Sequence, residues 1–265
     1  MKHLLWALGF VFLAALPVHA QEDEATRAAR WNDLQVAVFG QRPLRDGSGV
    51  ISLEAPVRAM NAALVPVGIT LSGKKPIKAV YLLVDGNPSP LAGTFHFGPA
   101  IDPHLLRTRV RVEQYTLMHA VAETTDGELY VAERFVKAAG GCSAPAGSNE
   151  ELALKEMGRM KLNLTGTVVP GQPELAELLI RHPNNNGMQM DQITRNYIPA
   201  RYIQTIHVTY NDHLVFDFDS DISLSEDPAI TFAFIPDGPG ALKVRVEDSR
   251  KSVFNRSFDV VPARS

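Results

Sequence analysis

Cys142 is the only cysteine in the 265 residues. It stands in the run Lys137-Ala138-Ala139-Gly140-Gly141-Cys142-Ser143-Ala144-Pro145-Ala146-Gly147-Ser148. A single thiol cannot close an internal disulfide. In an exported protein it points to a bond with another molecule or to a free reactive group. The surrounding residues are small, and none has a bulky apolar side chain to bury. The composition therefore predicts a mobile, solvated arm, with Gly140 and Gly141 as its hinge. No His, Arg or Lys lies within four residues of the thiol, and Lys137 is five away. Nothing local lowers its pKa from the ordinary value of about 8.5. A catalytic thiol needs a base held at hydrogen-bond distance. A thiol on a loose arm suits a covalent carrier that partner enzymes activate, not an enzyme in its own right.

Other chemistry is sparse. There is no GxSxG, HExxH, P-loop or CxxC pattern. Asp217, Asp219 and Asp221 alternate like the opening of a calcium loop. Ile222 then stands where that loop needs glycine, and Pro228 where it needs glutamate, so a solvated acidic strand face is expected. His96, His104, His119, His182, His207 and His213 are scattered. His207 and His213 flank a turn without a third ligand, so no metal site and no cofactor is expected. The 26 basic and 29 acidic side chains give a mildly negative chain, which argues against a nucleic-acid partner.

The elements that must position the thiol read as β-structure. Residues 22–39 form a helix that Gly40 can stop, with Trp31 and Leu34 on one face, packing on the edge of the first domain. Strands are expected at 50–55, 64–72, 77–85, 93–98, 106–113, 116–125 and 128–137, with Asp126-Gly127 as a hairpin turn. Arg107, Arg109 and Arg111 alternate along one of these and should share a wet sheet face. A short helix at 149–159, capped by Ser148 or Asn149 and ended by Gly158, follows the arm. A second series covers 160–168, 175–182, 203–210, 213–219, 228–235, 240–247 and 254–260, with Asn211-Asp212 as a hairpin turn. Residues 183–200 read as a surface loop. About seven short strands in each series is the signature of two immunoglobulin-like β-sandwich domains. The fold class is all-β, with a short N-terminal helix and a flexible Cys-bearing interdomain arm.

The first twenty residues read as a secretory signal peptide. Lys2 and His3 precede an uncharged run from Leu4 to Leu16, and Val18-His19-Ala20 offers a cleavage site after Ala20. The expected protein is periplasmic and has no membrane span once the signal is removed.

The motifs also carry a resemblance. Leu53-Glu54-Ala55-Pro56, Val65-Pro66-Val67, Asn87-Pro88-Ser89-Pro90-Leu91-Ala92, Phe95-His96-Phe97 and Gly140-Gly141-Cys142 resemble SoxY, the sulfur-substrate carrier of bacterial thiosulfate oxidation. Leu179-Ile180-Arg181-His182-Pro183, Ile198-Pro199-Ala200-Arg201-Tyr202-Ile203-Gln204 and Asp227-Pro228-Ala229-Ile230-Thr231-Phe232 resemble its partner SoxZ. The chain looks like a fused SoxYZ-like carrier of the type associated with quinoprotein dehydrogenases. The implied plan is a signal peptide at 1–20, a SoxY-like sandwich with leading helix at 21–137, an arm and linker at 138–159 and a SoxZ-like sandwich at 160–265. The resemblance implies that Cys142 holds a sulfur-containing or other thiol-reactive group for periplasmic enzymes that load and unload it. Those partners are sulfur-oxidation enzymes or a quinoprotein system. The alternative is a non-catalytic accessory module of a quinoprotein (PQQ) alcohol dehydrogenase system. In SoxY the cysteine lies at a free C-terminus, whereas here Ser143-Ala144-Pro145 and a second domain follow it.

Overall fold

Along β3 (Val65–Leu71) the residues Val65, Val67, Ile69 and Leu71 are buried, and the residues between them are more exposed. This two-residue period recurs in β10 (Glu174–Ile180), β11 (Ile203–Tyr210) and β14 (Gly240–Asp248). It makes sheets with one apolar face each, which must pack on one another to leave water. The computed structural model describes residues 22–145 and 150–261. The expected signal peptide and the Ser148 or Asn149 cap lie outside the described residues.

The remaining strands are β1 (Leu44–Asp46), β2 (Ile51–Glu54), β4 (Ile77–Val84), β5 (Leu91–Phe97), β6 (Ile101–Val110), β7 (Thr116–Thr124), β8 (Leu129–Val136), β9 (Met160–Leu164), β12 (His213–Ser220), β13 (Ala229–Phe234) and β15 (Val253–Val260). Helix α1 spans Glu24–Phe39, and α2 spans Glu150–Glu156. The fold is all-β and immunoglobulin-like in its layering, as expected. The two halves nevertheless share their sheets. One sheet runs β1-β8-β7-β4-β5-β12-β11-β14-β15, and the other runs β2-β3-β6-β13-β10-β9. The seam is antiparallel in both layers. β5 pairs with β12, setting Phe95 opposite Phe218 and His96 opposite Asp217. β6 pairs with β13. Strand edges that would otherwise present unpaired backbone groups are thus satisfied by each other.

One apolar core runs through both halves. At the seam Phe95 stacks on Phe218 with ring centroids 4.1 Å apart and meets Phe216 edge-on at 5.6 Å. A second, smaller cluster lies outside the nine-stranded sheet. There α1 covers β4, β7 and β8 through Phe39 and Trp31. Trp31 stacks on buried His119 at 3.5 Å, so the helix packs on a sheet face instead of the domain edge. The Asp126-Gly127 and Asn211-Asp212 turns form as expected; Gly127, Asn211 and Asp212 all have positive φ. Strand β1, too short to carry a pattern, was not foreseen; it pairs in parallel with β8. Among the described residues no helix is long and apolar enough to cross a membrane.

Candidate functional site: a docked cysteine

The chain leaves β8 at Val136 and runs along the loop before β3. Lys137 N donates to Val57 O, and Ala59 N donates to Lys137 O. It then bonds to the segment that follows β6. Gly140 N donates to Glu113 O at 2.8 Å, and Gly141 N donates to Val112 O at 2.9 Å. Cys142 N donates to Glu113 Oε2 at 2.8 Å. From the second half, Asn186 Nδ2 donates to Cys142 O at 2.7 Å. Arg111 Nη1 donates to Gly141 O at 3.3 Å, and its Nη2 donates to Asn184 O at 3.4 Å.

Cys142 is 0% exposed. The expectation of a flexible, solvated arm is therefore corrected for residues 137–142, which are docked in this structure; Ser143 and Pro145 are exposed, and residues 146–149 lie outside the described residues. The physical reason is that small residues need no apolar area when their backbone groups are captured one by one. In this docked state Gly141 is a close-approach residue. A Cβ there would lie 2.1 Å from Ala62 O and 2.7 Å from Val112 N. Gly140 takes a left-handed φ of 77°, which turns the chain inward.

The docking surface is itself built by buried polar side chains. Asn87 Nδ2 donates to Arg111 O and to Ser223 Oγ, and Asn87 Oδ1 accepts from Glu113 N. This fixes the strand end that carries Arg111 and Glu113. Asn184, at φ 43°, donates to Ser225 O and accepts from Ile203 N. Asn186 N donates to Gln189 Oε1. Residues 184–186 and 189 are buried, so the expectation of a plain surface loop at 183–200 is corrected for that stretch. Arg111 is only 1% exposed. Arg107 and Arg109 are exposed and half-buried on the outer face of the sheet, but Arg111, next in the same row, is roofed over by the arm and the Asn184 loop.

The electrostatics follow from this enclosure. Burial pushes the Cys142 thiol up to about 12; the Glu113 carboxylate, which the thiol also hydrogen-bonds, adds to the shift, and Arg111 opposes it. Burial lowers the pKa of Arg111 from its ordinary value. Docked, the sulfur is protonated and a poor nucleophile. Cys142 belongs to neither apolar cluster. It lies among a guanidinium, a carboxylate and amides, close to exposed Ser143.

A pH dependence follows. From about pH 9 to about 12 the docked thiol keeps a proton that a released thiol loses. Docking is thus fully favoured below about pH 9 and weakens by about 1.4 kcal/mol per pH unit through that window. The rate of alkylation by iodoacetamide is expected to keep rising about tenfold per unit beyond pH 10. A profile levelling near pH 8.5 to 9, as for an exposed cysteine, contradicts the docked state.

Of the sequence-expected residues, the structure brings Cys142, Gly140 and Gly141 onto Glu113 and Arg111. Sequence reading missed Arg111, Glu113, Asn184, Asn186 and Asn87 as parts of the site. The Asn184-Asn185-Asn186 run was the available signal, since three consecutive amides suit a loop that caps backbone groups. Asp217, not His213, stands opposite His207.

Comparison with known proteins agrees with this layout. A family model described as sulfur oxidation protein SoxY matches residues 35–142, ending on the cysteine. A second, described as sulphur oxidation protein SoxZ, matches residues 163–259. The sulfur carrier protein SoxY from Chlorobium limicola f thiosulfatophilum is 28% identical; the match covers 43% of this chain and 96% of that one, with a TM-score of 0.38. A glycosyl hydrolase family 2 member from Bacteroides cellulosilyticus is 10% identical over 85% of this chain and 30% of its own, with a TM-score of 0.23. No curated protein matches the chain. With both family domains in tandem over most of its length, the chain belongs to the SoxY and SoxZ sulfur-oxidation families as a fused SoxYZ-like carrier protein.

Proposed function

We propose that Cys142 is the covalent attachment point of an exported sulfur-compound carrier, and that the arm alternates between the docked state and a released state that enters partner enzymes. The observation that carries this is the capture of the arm through backbone and amide hydrogen bonds beside Glu113 and Arg111. Such bonds exchange for water at a net cost of only about 1 kcal/mol each, so release needs no unfolding of the sandwich. The end of the SoxY match at Cys142 supports the same residue. The leader-like pattern of residues 1–20 supports a periplasmic site of action.

In the released state the thiol regains an ordinary pKa of about 8.5, and a partner's base can take its proton. Joining Sγ to the terminal sulfur of a reduced sulfur anion makes one S–S bond. It releases the thiol proton and two electrons, which pass to the partner oxidoreductase. Arg111 Nε is buried and without a hydrogen-bond partner among the described residues.

Host cells carrying Cys142→Ser are expected to lose oxidation of reduced sulfur compounds, with the variant protein present at the wild-type level. Full oxidation by that strain would overturn carriage on Cys142.

A further inference from the structure

The seam between the halves assembles a group of side chains that neither half holds alone. β5, β12 and β11 are neighbours in the nine-stranded sheet. In register across them stand His96, Asp217 and His207. Phe95, Phe216, Phe218, Ile206 and Val208, which alternate with these three, point into the core. The two imidazoles and the carboxylate therefore share the outer face. Neighbouring strands are about 4.8 Å apart, so the two histidines flank Asp217 at about 10 Å from each other. Ala79, opposite His96 on β4, is buried. His207 Nδ1 lies 2.5 Å from Asp217 Oδ1, and His96 Nε2 lies 3.3 Å from Asp219 Oδ2.

We infer that His96, Asp217 and His207 form a binding site for a divalent transition metal of the zinc type, with Asp219 or water completing the coordination. Two neutral imidazoles and one carboxylate, with a fourth position open, are the donors such an ion takes. Among the described residues no three such side chains converge in the present rotamers, because each imidazole is turned onto a single carboxylate. Convergence requires these side chains to rotate. The four are 44 to 62% exposed. Each histidine already has an aspartate beside it that a metal would share or replace. The ligands come from both halves, so a bound ion would clip the sheet across its seam.

The test is calorimetric titration of the untagged full-length chain with Zn2+ alone, in a Cys142→Ser background that removes the thiol as a competing ligand. One equivalent is expected to bind. His96→Ala and His207→Ala are each expected to weaken binding at least about tenfold. His104→Ala, at a separate exposed His–Asp pair, is expected to leave it unchanged. Unfolding midpoints without metal check that the variants are folded, and the histidine ring signals that shift in NMR identify the ligands. No binding at one equivalent, or wild-type affinity in either His96→Ala or His207→Ala, overturns the site. None of these outcomes bears on Cys142.

Discussion

Gly141→Ala is expected to raise the alkylation rate of Cys142 at neutral pH by about two to three orders of magnitude. The added methyl would stand 2.1 Å from a backbone carbonyl oxygen and 2.7 Å from a backbone nitrogen, and neither belongs to a flexible side chain that could turn away. The segment must lift off Val112 and Ala62. Lifting breaks the bond from Gly141 N and draws Cys142 away from Glu113. The thiol then moves from about 12 toward its ordinary value near 8.5, and its thiolate fraction at neutral pH grows by about three powers of ten. The pH profile of the variant should level near pH 9 where the wild type still climbs. The strained contact falls on the backbone of Ala62 and Val112, outside the strands, so far-ultraviolet circular dichroism should be unchanged. An alkylation rate equal to the wild type's would show that the close approach at Gly141 does not hold the thiol in.

Phe218→Ala is expected to destabilise the protein by about 3 to 5 kcal/mol and to lower the unfolding midpoint by roughly 10 °C. Phe218 is fully buried on β12, yet its ring stacks on Phe95 of β5 and would meet any Cβ placed at Gly93. The cavity would therefore open where the two halves share both sheets and core. One cooperative transition is expected, before and after substitution. Trp31, the single tryptophan in residues 22–265, reports the first half by fluorescence, and circular dichroism reports both halves. Two separated transitions, with the tryptophan signal insensitive to Phe218→Ala, would show independent sandwiches.

Alternation made most of the fold legible. In each half the expected strands coincide with observed ones, and the turns at Asp126-Gly127 and Asn211-Asp212 fall where the residue types put them. The joining of the halves was not legible, because a strand edge looks the same in sequence whether it faces water or another strand. β6 was placed about five residues late because Ile101-Asp102-Pro103-His104 lacks alternation. At the site, the cysteine and its glycines were legible from their types and from the family motif. Their state was not. Composition weighs how much apolar area a segment can bury, and this segment is held by hydrogen bonds to its backbone. Arg111 was assigned to a wet face by the same parity that correctly put Arg107 there. What buries it is a loop some seventy residues away, a contact that no local pattern encodes.

Covalent carriage by a sulfur atom that leaves its dock is tested most directly by intact-protein mass. The protein should be isolated from its host grown on reduced sulfur compounds and weighed before and after treatment with a thiol reductant. A mass increment that the reductant removes, mapping to Cys142 and absent from Cys142→Ser, is the expected result. An unmodified chain in cells actively oxidising those compounds, or an adduct that persists in Cys142→Ser, would contradict it.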